Sequence, residues 1–250
     1  TKYNAMFLSI QQLSKTYPNG IPALRHLNHT IGTGMMGLVG PNGAGKSSLL
    51  RTLATLQPPD QGRVLYGDWD IYQQSIPYRR LLGYLPQDFG VYPNESALSL
   101  LHYFAQLKGL KAGQARRQAV EQALHRTQLW AVRHCAVSQY SGGMKQRFGI
   151  SQLLLADPKV ILVDEPTTGL DPVERGRFLH LLRELAEDRI VIFSTHLMED
   201  VADHCTSVSI LLEGQLVANT TPSEALAQLQ GRIWQSSTPL QQWEGPKAPI

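Results

Sequence analysis

Gly40-Pro41-Asn42-Gly43-Ala44-Gly45-Lys46-Ser47 fits the pattern G-x-x-x-x-G-K-[ST] and stands between an apolar run, Met35–Val39, and a helical segment, Ser47–Leu56. A phosphate cradle needs that context. Glycines let successive backbone N–H groups turn toward one anion, and a helix N-terminus adds partial positive charge. Lys46 has the reach for β- and γ-phosphates, and the Ser47 hydroxyl suits Mg²⁺. The pattern implies a nucleoside triphosphate, with Gly40, Asn42, Gly43, Gly45, Lys46, Ser47 and Ser48 as its binding set.

Val160-Ile161-Leu162-Val163-Asp164-Glu165-Pro166 is an apolar strand ending in two carboxylates. Ligands of open α/β sheets sit beyond the carboxyl ends of the strands. Strand side chains alternate sides, so Asp164 is expected to face Mg²⁺ through its water shell while Glu165 polarises an attacking water. His196 follows the apolar run Ile190–Ser194 and is placed to touch the γ-phosphate or that water. Gln87, after the strand-like Tyr84-Leu85-Pro86, offers a neutral amide to Mg²⁺ or to the water. Tyr17 precedes the turn signal Pro18-Asn19-Gly20, where an aromatic ring either stacks on a base or closes the core. Finally, Tyr140-Ser141-Gly142-Gly143-Met144-Lys145-Gln146-Arg147 lies between the phosphate loop and the acidic pair. It suggests a second phosphate-binding surface, which a single nucleotide site does not require.

Positioning these groups calls for strands that end where the chemistry begins. Runs at Leu8–Leu13, Met35–Val39, Arg63–Tyr66, Val160–Asp164, Ile190–Ser194 and Val208–Leu212 read as buried strands. Helical patterns alternate with many of them, which predicts an α/β fold around a largely parallel sheet. From Pro93 to Leu129 no strand is expected. Apolar residues there recur at helical spacing (Leu98, Leu101, Phe104, Ala105, Leu107, then Ala119, Ala123, Leu124), and Gly109 and Gly113 divide the stretch into two helices. A helical subdomain over about 90–140, inserted in a core spanning 1–230, is the expected organisation. Thr221-Pro222-Ser223-Glu224 carries a capping-box helix start. Residues 231–250 turn rich in Gln, Ser, Pro and Trp and predict a loosely held tail.

The 250-residue chain has 42% hydrophobic and 17% charged residues, a balance that argues against disorder. A net charge of +3, with its basic residues scattered, gives no basis for a nucleic-acid partner. Cys135 and Cys205 lack metal-ligand spacing and predict reduced thiols. No apolar run approaches the ~20 residues that span a bilayer. The N-terminus lacks a basic-then-apolar secretion layout. The expectation is a chain that attaches to a membrane protein without crossing the bilayer itself.

Taken in order from Tyr17 to about Leu229, these motifs resemble the ATP-binding subunit of ABC transporters. The resemblance implies a P-loop NTPase core, mostly parallel sheet with an antiparallel N-terminal β portion, plus the inserted helices. It implies an A-loop at Tyr17, a Walker A loop at Gly40–Ser47, a Q-loop at Gln87 and a signature at Ser141–Met144. The Walker B end falls at Asp164–Glu165, the D-loop at Gly169–Asp171 and the H-loop at His196. ATP and Mg²⁺ are the implied cofactors, with Ser47, Gln87 and Asp164 toward the metal and Glu165, His196 and Gln87 toward hydrolysis.

In that family two such domains join head to tail. Ser141 and the Gly142 and Gly143 amides would then grip the γ-phosphate of ATP held by the other domain, with Asp171 at the same interface. Asp171 also reads as a helix N-cap before Pro172. Tyr140 and Met144 depart from the usual Leu-Ser-Gly-Gly-Gln, while the residues that would touch phosphate are intact.

The implied partners are an integral membrane permease, whose cytoplasmic coupling helices would meet the helical insertion, and a second ATP-binding subunit, identical or different. The chain would thus be peripheral, on the cytoplasmic face. Export is expected over import. The run Met36–Gly40 and the octapeptide are similar to exporter subunits, and the short C-terminal remainder leaves no room for the regulatory domain of some sugar importers. The alternative is a soluble ABC-type ATPase acting on nucleic acid or ribosomes. Against it, about ninety residues without sustained heptads separate the phosphate loop from the signature, and the chain holds one such domain. A regulator without turnover is at odds with Glu165 and His196.

Overall fold

The computed structural model describes residues 7–90, 92 and 94–229. Pro93 and the expected tail at 231–250 lie outside them. The N-terminal part contains β1 (Leu8–Thr16), β2 (Pro22–Ile31), β3 (Gly34–Val39), α1 (Lys46–Leu53), β4 (Gln61–Tyr66), β5 (Trp69–Asp70), α2 (Ser75–Arg80) and β6 (Leu82–Leu85). The helices α3 (Ala97–Leu107), α4 (Gln114–Arg126) and α5 (Gly142–Leu154) follow. The chain then runs through β7 (Val160–Val163), α6 (Pro172–Leu185), β8 (Ile190–Thr195), α7 (Met198–Ala202), β9 (Ser207–Leu212), β10 (Gln215–Thr220) and α8 (Pro222–Leu229).

Two sheets result. A four-stranded sheet ordered β2-β1-β4-β5 is antiparallel throughout. A six-stranded sheet is ordered β10-β9-β3-β8-β7-β6, parallel except where β10 pairs with β9. Strands β7 and β8 are buried along their whole length, as strands covered on both faces must be. Met36 and Leu38 of β3 pack with α1 and the antiparallel sheet. Met35 and Val39 face the opposite way, toward α6 and α7. The loop after β3 is thereby held at the rim of the sheet that also ends in Asp164 and Ser194.

Strand β2 was not expected from the sequence. Its buried residues Leu24, Leu27 and Ile31 are spaced three and four apart, which is a helical signature. The strand achieves this spacing through a bulge at His26, whose φ is +48°. Strand β1 does the same at Gln12, φ +49°, bringing Leu13 back to the core side after Leu8 and Ile10. The edge strand β10 alternates exposed and half-buried residues and carries little apolar signal.

The helices α3, α4 and α5 share a separate core, in which Leu101 and Ala105 meet Val120, Leu124 and Phe148. The capping box before α8 forms as read: Glu224 N–H donates to Thr221 Oγ1 at 3.2 Å and Thr221 N–H to Glu224 Oε2 at 3.0 Å. Cys135 and Cys205 are both free.

His29 on β2 joins the two sheets, its Nε2 lying 3.1 Å from Ser209 Oγ of β9. Burial pushes its pKa below the ordinary value of 6.5, and His102 and His204 are shifted the same way by the same cause. A histidine with a depressed folded pKa binds fewer protons folded than unfolded. Its contribution is present in full above the ordinary histidine range and is lost as pH falls through the folded value. The thermal midpoint is therefore expected to drop between about pH 7 and pH 5, with a shallower slope for His29→Gln. Scanning calorimetry across that window checks it, and a flat wild-type profile would exclude the effect.

Candidate active site

The loop between β3 and α1 is shaped by close approach. Gly45, at the N-cap of α1, has φ +106°, and a Cβ there would lie 2.4 Å from the Ala23 carbonyl oxygen. No other residue fits that position without displacing β2. The first turn of α1 carries no acidic residue, so its N-terminal field is not cancelled. Lys46 is buried, and its Nζ donates to the carbonyl oxygens of Gly40 at 2.8 Å and Pro41 at 3.2 Å. The cation is thus folded over the loop it is expected to serve.

A cleft of about 470 Å³ opens beside this loop, within the size range of small-ligand sites. Tyr17, Asn42, Gly43, Gly45, Lys46, Ser47, Ser48, Gln87 and Glu165 line it, together with Ile21, Pro22 and Ala23. Six loop and helix residues thus share one cavity with three groups from distant parts of the chain. Tyr17 lines the cleft and belongs to none of the three buried clusters. Its hydroxyl is fixed by Ser48 Oγ at 2.8 Å and Gln57 Oε1 at 3.3 Å. Tyr17, Ile21, Pro22 and Ala23 add apolar surface to a lining that also holds Lys46 and Glu165.

The carboxylate end is built by a turn rather than by strand alternation, which corrects the expectation for Asp164 and Glu165. Strand β7 stops at Val163, and Glu165 adopts a left-handed φ of +44°. That conformation costs a non-glycine residue on the order of 1 kcal/mol and needs external support. Ser194 supplies it. Its Oγ accepts from Glu165 N–H at 2.9 Å and donates to Asp164 Oδ1 at 2.6 Å. Asp164 is consequently buried behind the turn, while Glu165 reaches into the cleft.

Glu165 Oε1 stands 3.2 Å from Lys46 Nζ, and Oε2 stands 3.9 Å from His196 Nδ1. Glu165 is 13% exposed and His196 43%, and His196 meets Glu165 without itself lining the cleft. Ser47 and Gln87 at the cleft, with the Asp164 carboxylate behind it, offer hydroxyl, amide and carboxylate oxygens, a hard-donor set suited to Mg²⁺. Among the described residues no group of three or more His, Cys, Asp or Glu could hold a metal alone. A Mg²⁺ bound through one carboxylate and substrate phosphates fits that set, because it keeps several ligands from outside the protein.

The octapeptide lies elsewhere. Ser141 is the N-cap of α5, its Oγ accepting from Met144 N–H at 3.2 Å. Tyr140 is buried, its hydroxyl donating to Val132 O at 2.9 Å and its ring edge-on to Phe148 at 6.4 Å. Met144 packs partly into the same helical core. Both departures from the usual motif therefore face inward, and Ser141 and Gly142 remain exposed.

Gly143 is covered by Glu174, which pairs with Arg147 and with Arg177. A Cβ on Gly143 would come within 2.2 Å of the Glu174 Oε2 atom. Asp171 caps α6, its Oδ1 accepting from the N–H groups of Val173 and Glu174 at 3.0 Å. Ser141, Gly142, Gly143 and Asp171 are not walls of the cleft. Leu170 next to Asp171 packs 3.4 Å from a Cβ position on Gly142, so the two helix starts are neighbours.

Sequence reading missed Ser194 and the wall residues Ile21, Pro22 and Ala23. A lone hydroxyl at the end of the apolar run before His196 was the available signal for Ser194. The wall residues sit on the unforeseen strand β2 and the loop entering it.

A family model described as ABC transporter matches residues 24–168. The chain belongs to that family. As an ABC chain it is 34% identical over 239 residues to the protein named "Probable multidrug ABC transporter ATP-binding protein YbhF" of Escherichia coli (strain K12), covering 94% of this chain and 41% of that one. It therefore spans less than half the length of that curated relative. Its fold matches the structure of cbiO1 from Clostridium perfringens, described as part of the ABC transporter complex cbiONQ. That match has a TM-score of 0.82 and 27% identity over 91% of this chain and 93% of that one. It also matches the ATP-binding cassette MJ0796, a dimer in a post-hydrolysis state bound to ADP and Pi, with a TM-score of 0.75 and 26% identity over 86% and 98% of the two chains. The ABC nucleotide-binding fold, an α/β P-loop core with attached helices, is thereby established for this chain.

Proposed function

We propose that this ABC domain binds ATP with Mg²⁺, hydrolyses it as one half of a head-to-tail pair, and drives export through a separate membrane permease. The observation that supports it most is the position of Glu165, held between Lys46 and His196 at the rim of a nucleotide-sized cleft. In this reading Lys46 leaves its loop carbonyls for the phosphates, and the Gly43 and Gly45 amides cradle them. Glu165 takes the proton of the attacking water, and His196 orients it. Tyr17 stacks on adenine. Ser47 and Gln87 would hold Mg²⁺, with Asp164 reaching it through its water shell, and the ion would supply charge neutralisation at the phosphates. Ser141 and Gly142, exposed at the start of α5 and outside this chain's own cleft, serve the nucleotide of a second ATP-binding domain, while Gly143 lies beneath Glu174.

A larger groove, about 1580 Å³, holds none of the motif residues. Arg79, Arg80, Lys108 and Arg126 line it beside Ile76 and Leu107, which are 70% and 65% exposed. We assign it to the permease's cytoplasmic segments, in keeping with a domain that sits peripherally at the cytoplasmic face of the membrane. No described helix is long and apolar enough to cross a membrane. Export follows the multidrug name of the YbhF relative.

The purified domain is expected to show Mg²⁺-dependent phosphate release from ATP that rises on reconstitution with the membrane protein that copurifies with it. Stimulation by DNA or ribosomes instead would overturn the transport assignment in favour of a soluble ATPase.

A further inference from the structure

We propose that Asp200, outside all of the motifs above, is a positioning residue that locks three parts of the hydrolysis machinery together; the inference rests on the ATPase reading. Asp200 lies on the five-residue helix α7, just after His196, and is 2% exposed. Its Oδ1 accepts from Arg175 Nε, and its Oδ2 accepts from Thr167 Oγ1 at 2.9 Å and from Thr195 Oγ1 at 3.4 Å. A buried carboxylate is costly unless it is paired and fully hydrogen-bonded, and this one is both. It does not line the cleft, so it acts through what it holds.

Each partner belongs to a different functional segment. Thr167 is two residues past Glu165, at the end of the left-handed turn that points the carboxylate into the cleft. Thr195 immediately precedes His196, and its Oγ1 also accepts from Leu197 N–H at 3.0 Å, which clamps the backbone on both sides of the histidine. Arg175 is on the first turn of α6, its N–H donating to the carbonyl oxygen of Asp171 at 2.9 Å. One carboxylate thus sets the mutual positions of the water-activating group, the histidine beside it and the helix start that faces a second domain. Ser194 supports the Asp164–Glu165 turn from one side, and Asp200 fixes the chain that leaves it on the other.

The test is steady-state kinetics of Asp200→Asn, Thr167→Val and the double variant, with ATP binding and thermal midpoint measured on each. Asn keeps the shape of Asp but loses the charge that pairs with Arg175 and one of its two acceptor oxygens, and Val keeps the shape of Thr without its hydroxyl. Asp200→Asn is expected to lower kcat at least about tenfold with KM and ATP affinity within about twofold. Thr167→Val should show a smaller loss of the same kind. The double variant should lose less than the product of the two single losses, because both substitutions act on the Thr167–Asp200 contact.

Wild-type kcat in Asp200→Asn would overturn the proposal. So would a loss of ATP affinity and thermal midpoint in parallel with kcat while Thr167→Val is silent, since that pattern marks a folding role. A wild-type chain with no Mg²⁺-dependent turnover would sink the ATPase reading and this inference together. Turnover in the wild type with unchanged variants would sink this inference alone.

Discussion

Glu165→Gln is expected to lower ATP turnover by about 10²–10⁴-fold, the range a general base contributes, while ATP affinity stays within a small factor of wild type. Gln has the same length and no β-branch, so it tolerates the φ of +44° as well as Glu does. The Glu165 N–H bond to Ser194 Oγ is a main-chain bond and survives the change. What disappears is a carboxylate able to take a proton from water, together with its ion pair to Lys46 at 3.2 Å. Losing that pair frees Lys46 for phosphate, so ATP binding is expected to hold or tighten. The variant should accumulate as an ATP-bound pair. Phosphate release, a fluorescent-nucleotide titration and light scattering with ATP give the three readouts. Near-normal turnover would remove Glu165 as the base and shift attention to His196.

The parts of this site that the sequence displays are those in which local spacing alone encodes the geometry. The phosphate loop is continuous, and Gly43 and Gly45 take left-handed backbone angles of +82° and +106° that favour glycine. Asp171 and Thr221 cap helices because their side chains reach amides only two or three residues away. The helices α3 and α4 were readable from apolar periodicity and from glycines at 109 and 113.

Non-local geometry was hidden. Bulges at Gln12 and His26 shift the apolar phase within β1 and β2, so period-two counting fails there. The split of Asp164 from Glu165 depends on a serine 29 residues beyond Glu165 in the chain, which strand alternation does not foresee. Tyr140 and Met144 stood out in the sequence only as departures from the usual motif. Their side chains turn out to fill the helical core beside Phe148, a fact that only the direction of α5 reveals.

Ser141 combines two roles that one substitution can separate. Its Oγ caps α5 by accepting from Met144 N–H, and its exposed surface, with Gly142, is the one assigned to a second domain's γ-phosphate. Ser141→Asp keeps the first role, because Asp ranks with Ser as an N-cap and favours the helix dipole. It reverses the second. A carboxylate about 4 Å from a phosphate charge is opposed by about 4 kcal/mol at an effective dielectric near 20, equivalent to roughly a thousandfold in affinity. The expected result is an unchanged thermal midpoint and unchanged ATP binding to the single domain, with ATP-driven pairing and hydrolysis both lost.

Ser141→Arg should abolish pairing as well, but with the cap removed at about 0.5–2 kcal/mol, so a lowered midpoint would accompany it. The contrast between the two variants isolates the interface from the helix. If Ser141→Asp paired and hydrolysed ATP at wild-type rates, the start of α5 would not face phosphate, and the head-to-tail arrangement would fall with it.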